Sequence, residues 1–555
     1  MAATEINSDS LIDIEQNFIV KAGPGAGKTY WLIQHIKHVL NESMRLGKIK
    51  KIACITYTNI GVETICNRLS DNAGRVEVDT IHGFLYENII KPYFYNIAED
   101  EGFNLSKLRV IDDTVLTSEG TMVQLKKKIG KGYIYDDKDL KLAIKKARWT
   151  FQNKTLVFRP PYPMKSSKYT IPNPFYEEYK KYAWDKGVMH YDDILYFAYK
   201  LLVAYPFIAH VVGIKFPYIF IDEFQDSTPI QVEIIKQIAS AADSVIGVIG
   251  DKSQAIYGFA GADSQLFDKF SVPRMNCYVI RSNRRSGKKI VDLLNYVRKD
   301  IQQISISNVQ SFKPLLYIGD FISCHNDYIA MCDSNITTLS YDKVTVNSIR
   351  KNLGRISEDN TLLENIVDSN SERVKILICC INAIECGIEG AIKDALKFIK
   401  KFEDDERKQI HILRQLLNGY NSYKHQTMEC FLNYLKETVG VKIAGLKEGK
   451  AKNFYSSTMY ESLVLCLAPP ETASISDKTI HKSKGDEFQN VMLVLKDEKE
   501  LNFLTSPNLN GKDETHRVYY VAISRAIKNL AIYAPSLSNE MESLFSDIPI
   551  NIKRL

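Results

Sequence analysis

No uninterrupted apolar run in this 555-residue chain reaches the length that a membrane-spanning helix needs. The segment Met1 to Gln16 is polar and acidic, without the basic start and apolar stretch of a secretory signal. No membrane partner is therefore expected, and the location is expected to be reducing and cytoplasmic. None of the ten cysteines falls in a CxxC pair, which removes the commonest zinc and redox signatures. Cys379, Cys380 and Cys386 lie in the apolar segment KILICCINAIEC and read as small buried residues. There is no internal repeat and no low-complexity tract. Strong charge is missing too: a net +6 permits a polyanionic partner without demanding one.

What is present is an ordinary globular composition, 45% apolar and 25% charged, in a chain too long for one core. Two to four domains are expected. From Asn17 to about Leu85, short apolar strands alternate with amphipathic helices: Phe18-Ile19-Val20, then Tyr30 to Leu40, Lys51 to Tyr57, and Asn59 to Leu69. Such alternation predicts a parallel sheet covered by helices. The rhythm lapses between Tyr86 and Met189. There, over residues 124–154, ten Lys or Arg stand against three Asp and are interleaved with Tyr133, Tyr135, Trp149 and Phe151. That pattern suits a solvated face or a nucleic-acid surface equally. The proline-rich stretch Phe158 to Phe175 predicts an extended loop. Buried strands return at Tyr218 to Ile221, Val245 to Ile249 and Cys277 to Ile280, and again at Val491 to Leu495 and Leu530 to Tyr533. Phe321 to Lys452 is mostly helical. The predicted class is α/β, with two parallel-sheet domains, each interrupted by an insert.

Three stretches carry chemistry. AGPGAGKT (22–29) follows an apolar strand and opens a helix, the layout of a phosphate-binding loop. Gly23, Gly25 and Gly27 let backbone N–H groups converge on an anion, Lys28 reaches the β and γ phosphates, and Thr29 offers a hydroxyl to Mg²⁺. In IDEFQD (221–226), an apolar strand ends in Asp222, placed for Mg²⁺, and Glu223, placed to orient and deprotonate an attacking water. In GDKSQAIYGF (250–259), Gln254 can report on a γ-phosphate and Phe259 can stack on a base.

These motifs, with TYTN (56–59), TIHGF (80–84), HYDDIL (190–195), NRRS (283–286), TIHKSKGDEF (479–488) and RVYYVAISRA (517–526), stand in the order found in superfamily 1 helicases of the UvrD/Rep/PcrA type. The chain resembles that family over nearly its whole length. The resemblance implies two RecA-like phosphate-loop domains with mainly helical inserts. The first domain would span 1–85 and 190–280 with its insert at 86–189. The second would span 281–325 and 454–555 with a reduced insert at 326–453. It implies ATP and Mg²⁺ as cofactors, with Thr29 and Asp222 on the metal. The catalytic set is Asp222, Glu223, Gln254 and two arginine fingers, Arg285 and Arg525. The nucleotide-binding set is Gly23, Gly25, Ala26, Gly27, Lys28, Thr29, Tyr30, Arg284 and Glu487, the last accepting from the ribose. Single-stranded or tailed duplex DNA would meet Tyr57, Thr58, Asn59, Thr80, His82, Tyr257, Phe259, Thr479 and His481.

Departures from the family pattern are informative. Arg284 stands where a tyrosine stacks on adenine; a guanidinium can also stack there. Ala260 replaces an arginine that contacts the strand, and the upstream glutamine that reads adenine is not evident. The shortened second insert resembles the helicase-like subunit of Gabija anti-phage systems, which pairs with an OLD-family nuclease. Two functions follow: a 3′ to 5′ single-strand translocase or helicase, or a DNA-sensing regulatory ATPase that controls a partner nuclease and unwinds little.

Overall fold

The computed structural model describes every residue except 1–2, 109–118, 130–131, 333, 343–344, 347, 350–352, 354–367, 369, 389, 467–476 and 512. Parts of the basic stretch and of the second insert therefore lie outside the described residues. The first sheet is built from β1 (Thr4–Ile6), β2 (Asn17–Ala22), β3 (Ile52–Thr56), β4 (Val76–Thr80), β5 (Tyr218–Ile221), β6 (Val245–Gly250) and β7 (Met275–Ile280). All pair in parallel, in the order β1-β7-β2-β6-β5-β3-β4. β3, β5 and β6 are buried at every position, which is why they read as unbroken apolar strings: both faces are covered. Trp31, Leu32 and Ile36 of α1 (Lys28–Glu42) cover one face. Helices Asp193–Ala204 and Pro229–Ala241, together with the first insert, cover the other.

The second sheet comprises β8 (Leu315–Ile318), β9 (Thr337–Ser340), β10 (Asp477–Thr479), β11 (Phe488–Val494), β12 (Ala526–Ala534) and β13 (Asn551–Arg554). It is also parallel throughout, in the order β10-β9-β11-β12-β8-β13. Two parallel sheets agree with the predicted class. One expectation fails in detail. β9 falls in the stretch assigned to the second insert, yet it is an inner strand of the sheet. Ahead of it, helix Phe321–Cys332 packs Cys324 and Tyr328 against Met492 and Ala531. Beyond it the described residues of that insert are mainly helical, and Cys380, Cys386, Leu416 and Phe431 are fully buried in an apolar core that also takes in Tyr460, just past the expected boundary.

The first insert contains helices Glu119–Lys128, Asp137–Lys146 and Asn173–Asp185 and a hairpin, Arg148–Gln152 with Thr155–Arg159. The proline stretch expected to be a loop is thus partly regular. Lys165–Ser166 pairs with Tyr169–Thr170, and Pro174 sits in the first turn of a helix, where its missing N–H costs nothing. A buried polar knot ties this insert to the sheet. Asp193 accepts from Trp149 Nε1 (2.7 Å), Trp184 Nε1 (3.1 Å), the His190 N–H (3.0 Å) and Lys180 Nζ (2.5 Å). Burial opposes its charge, but Lys180 and these donors hold its carboxyl far below the usual range. No single helix among the described residues is long and apolar enough to cross a membrane.

Candidate nucleotide and nucleic-acid site

β2 ends at Ala22 and α1 begins at Lys28; the five residues between must reverse the chain tightly. Gly25 (φ 68°) and Gly27 (φ 80°) take the left-handed conformations this requires. Glycine serves a second need here. A Cβ on Gly25 would lie 2.7 Å from Arg285 Cβ, and one on Gly23 would lie 2.5 Å from Gln303 Nε2. The second half of the chain closes directly on the loop. Asn283 Nδ2 (3.0 Å) and Gln303 Nε2 (2.9 Å) both donate to the Pro24 carbonyl, and the Arg284 N–H donates to the Gly25 carbonyl (2.9 Å).

Beneath the loop, Thr29 Oγ1 donates to Asp222 Oδ2 (3.2 Å) at the end of β5. Burial and the neighbouring Glu223 charge raise the Asp222 carboxyl despite Lys28. Glu223 is partly buried, but Lys28, Lys484 and the Gln225 amide outweigh that and lower its pKa. A hydroxyl beside a buried, uncompensated carboxylate is a donor set that fits a hard divalent cation. Glu223 itself takes a left-handed backbone (φ 52°), a strained conformation for a residue with a side chain. Gln225 Nε2 donates to Glu223 Oε2, and Gln225 Oε1 accepts from the Asp251 N–H (2.9 Å).

From the other side come the arginines. Arg525 Nη2 donates to Gln254 Oε1 (3.2 Å), and its Nε donates to the Val521 carbonyl (3.2 Å). Burial, with Arg285 nearby, brings the Arg525 pKa down to about 9. Arg285 donates to Glu487 Oε1 (2.5 Å) and the Ser524 carbonyl (3.1 Å), while its buried Nε has no hydrogen-bond partner. The Arg285 Cβ lies against Gly25 of the phosphate loop, and a buried donor left over there fits an anion. Glu487, expected at a ribose, is paired here with Arg285. Arg284, expected over adenine, donates to Ser8 Oγ (2.7 Å) and pairs with Asp9. Tyr30 lies on α1 with 43% of its surface exposed.

The expected strand-contacting residues fall into two groups. In the first, Tyr57 stacks on Tyr257 (4.9 Å), which meets Phe259 edge-on (5.9 Å); Phe259 in turn meets His481 (5.4 Å). This aromatic track crosses from one sheet domain to the other, and Phe259 leaves 62% of its surface exposed. In the second, His82 stacks on Tyr191 (4.3 Å), and burial lowers its pKa to about 4. Thr58 and Thr80 are engaged as helix caps, accepting from Gly61 N–H (3.1 Å) and Gly83 N–H (3.1 Å). Asn59 is exposed at the first turn of the helix that Thr58 caps, and Thr479 precedes a short turn that its side chain does not cap.

Comparison with known proteins agrees with this arrangement. The family described as UvrD/REP helicase N-terminal domain matches residues 4–273, and the UvrD-like helicase C-terminal domain matches residues 164–536. The chain belongs to the UvrD-like helicase family. It is an ATP-hydrolysing enzyme of the superfamily 1 helicase type. Among curated relatives, it is 23% identical to "Gabija protein GajB" of Bacillus cereus (strain HuB5-5), over 97% of this chain and 96% of that protein. It is 24% identical to "DNA helicase II" of Rickettsia typhi, over 93% of this chain and 90% of that one. "ATP-dependent DNA helicase PcrA" of Staphylococcus aureus matches at 25% identity over 53% of this chain and 39% of its own length.

Several residues of this helicase site were not singled out from the sequence. Lys484 pairs with Asp226 and donates to the Gln254 carbonyl (3.0 Å), and its Nζ lies 4.6 Å from the Tyr257 ring centre. Arg298 pairs with Asp251 (2.7 Å), Arg517 Nε donates to the Ala255 carbonyl (2.8 Å), and the Gly258 N–H donates to Glu514 (2.9 Å). Asp226 and Lys484 lie inside quoted motifs and were findable there. Arg298, at the end of an unremarkable helix, carried no local signal.

Proposed function

We propose that this protein is an ATP-driven motor on single-stranded DNA, moving 3′ to 5′ as its family resemblance implies. The observation that carries the proposal is the Arg525–Gln254 contact at 3.2 Å. It brings a cation of the second sheet domain onto the nucleotide sensor of the first, so that nucleotide binding and domain closure are one event. Mg²⁺ held by Thr29 and Asp222 would screen the phosphate charge. Lys28 then binds the β and γ phosphates, Glu223 takes a proton from the attacking water, and Arg285 and Arg525 stabilise the charge that builds on the transferred phosphoryl. DNA bases would stack along Tyr57, Tyr257, Phe259 and His481, where closure shifts one part of the track against the other.

The test is ATP hydrolysis with and without single-stranded DNA. Hydrolysis should rise with DNA and vanish in Lys28→Ala and Glu223→Gln. Arg525→Ala should lower turnover by roughly a thousandfold or more while nucleotide still binds. Hydrolysis indifferent to DNA would remove the motor reading, and strand displacement on 3′-tailed against 5′-tailed duplexes reads the direction.

Near-complete coverage of the relative named Gabija protein GajB supports a role in anti-phage defence. It also favours a second reading, in which the same ATP cycle signals to an OLD-family nuclease in a hetero-oligomer. Ala260 leans the same way, since it withdraws a strand contact. Co-purification from the native locus separates the two: a bound nuclease supports the second, and processive unwinding by the isolated chain supports the first.

A further inference from the structure

Asp251 is the point at which the acid motif, the sensor motif and the second domain meet. Its backbone N–H donates to Gln225 Oε1 (2.9 Å), and Gln225 holds Glu223. Its Oδ1 accepts from the Ser253 N–H (3.1 Å), which fixes the turn that carries Gln254. Its Oδ2 accepts from Gln254 Nε2 (2.8 Å). The fourth partner crosses between domains: Arg298 Nη1 lies 2.7 Å from Asp251 Oδ1, with side-chain exposures of 2% and 0%. Arg298 follows helix Lys288–Val297 and is also held by Asp300 through Nε (2.7 Å) and Nη2 (3.2 Å).

As a result, the Gln254 amide is held at both ends. Nε2 donates to Asp251 and Oε1 accepts from Arg525. A primary amide nitrogen carries two N–H donors, so Gln254 can keep Asp251 with one and offer the other to a γ-phosphate, in a direction that Asp251 fixes. How tightly Asp251 holds the amide depends on how much of its charge is already neutralised, and its neutralising partner is Arg298. A fully buried carboxylate stripped of that partner becomes protonated or shifts toward water, and either change loosens its hold on the amide.

We infer that Arg298 is a positioning residue. Its ion pair with Asp251 keeps the Gln254 amide in its direction, and so makes the placement of the sensor depend on the seating of the second domain. This inference rests on the proposed ATPase reading and adds to it a residue that touches neither nucleotide nor DNA.

Three variants test it: Arg298→Met, which keeps the stem and removes the charge; Arg298→Lys, which keeps the charge; and Gln254→Ala, alone and combined with Arg298→Met. DNA-stimulated kcat should fall about tenfold or more in Arg298→Met, with the KM for ATP within about twofold, and Arg298→Lys should recover most of the loss. Combining Gln254→Ala with Arg298→Met should cost no more than Gln254→Ala alone, because both act through one amide. Multiplying losses, or a loss confined to KM, would overturn the inference. Should Arg298→Met fail to fold, the double variant Asp251→Asn/Arg298→Met, which leaves no buried charge unpaired, takes its place with the same expected loss. Amide hydrogen exchange across residues 251–257 is the readout independent of hydrolysis. Faster exchange there in the Arg298 variant supports the inference, and unchanged exchange overturns it. Absent DNA-stimulated hydrolysis in the unsubstituted protein would instead overturn the motor reading alone.

Discussion

His35, on the buried face of α1, stacks on Trp31 (5.1 Å between ring centres) and packs edge-on against Phe18 (5.0 Å), yet neither of its ring nitrogens has a hydrogen-bond partner. Burial, helped by His38, lowers its pKa from 6.5 to about 3. The unfolded chain therefore binds a proton in the window between those values that the folded chain refuses, and folding weakens as pH falls through it. Replacing the ring by an apolar side chain removes both the unsatisfied nitrogens and the proton. His35→Leu should raise stability by about 1 kcal/mol near neutrality. It should also flatten the acid side of a plot of melting temperature against pH. A slope identical to that of the unsubstituted protein would show that the acid sensitivity lies elsewhere. The places of Lys28, Thr29, Asp222 and Glu223 were legible from the sequence for a plain reason: they are tied to strand ends and turns a few residues long. Glu487 and Arg284 are held by Arg285 and Asp9, partners set by tertiary approach that no local spacing marks.

At the scale of elements, the Asp193 knot joins two helices and a hairpin through one carboxylate. Asp193→Ala would leave the Lys180 ammonium buried and unpaired, at a cost of about 3–5 kcal/mol. Protease cleavage in helix Asn173–Asp185 should accelerate while the nucleotide loop stays protected; unchanged cleavage would mean the insert docks by apolar packing alone. Strands were the most readable elements, since buried parallel strands such as Val245–Gly250 are continuous apolar runs. Thr337–Ser340 was missed because it is short and carries three hydroxyl side chains. Its Thr338 donates to the buried Asp477, a neighbour 139 residues away. The prolines of 160–174 suggested a loop because their count, and not their positions between short strands and at a helix start, was the visible feature.

For the whole molecule, the two sheet domains are fastened at the ATP site by buried polar pairs, of which Lys484–Asp226 is nearly dry, with 9% and 0% side-chain exposure. Lys484→Met should loosen the seating of the two domains. Energy transfer between dyes on the two domains should broaden, and DNA should stimulate hydrolysis less; an unaltered distance distribution would remove Lys484 as a fastening. None of these cross-domain pairs could be read from the sequence, since their members lie more than 200 residues apart in many cases and no local spacing marks them.

The packing of the aromatic residues has a practical corollary. The chain has only three tryptophans, and the fold separates them into two stations. Trp31 lies behind the phosphate loop, donating to the Ser10 carbonyl (2.9 Å), whereas Trp149 and Trp184 stack 6.0 Å apart inside the Asp193 knot. Intrinsic emission is thus a two-channel gauge: Trp31→Phe silences the nucleotide station and leaves the insert glowing. Nucleotide titrations on such a variant and on its counterpart without the knot indoles would time the two ends of the first domain separately, with no dye attached.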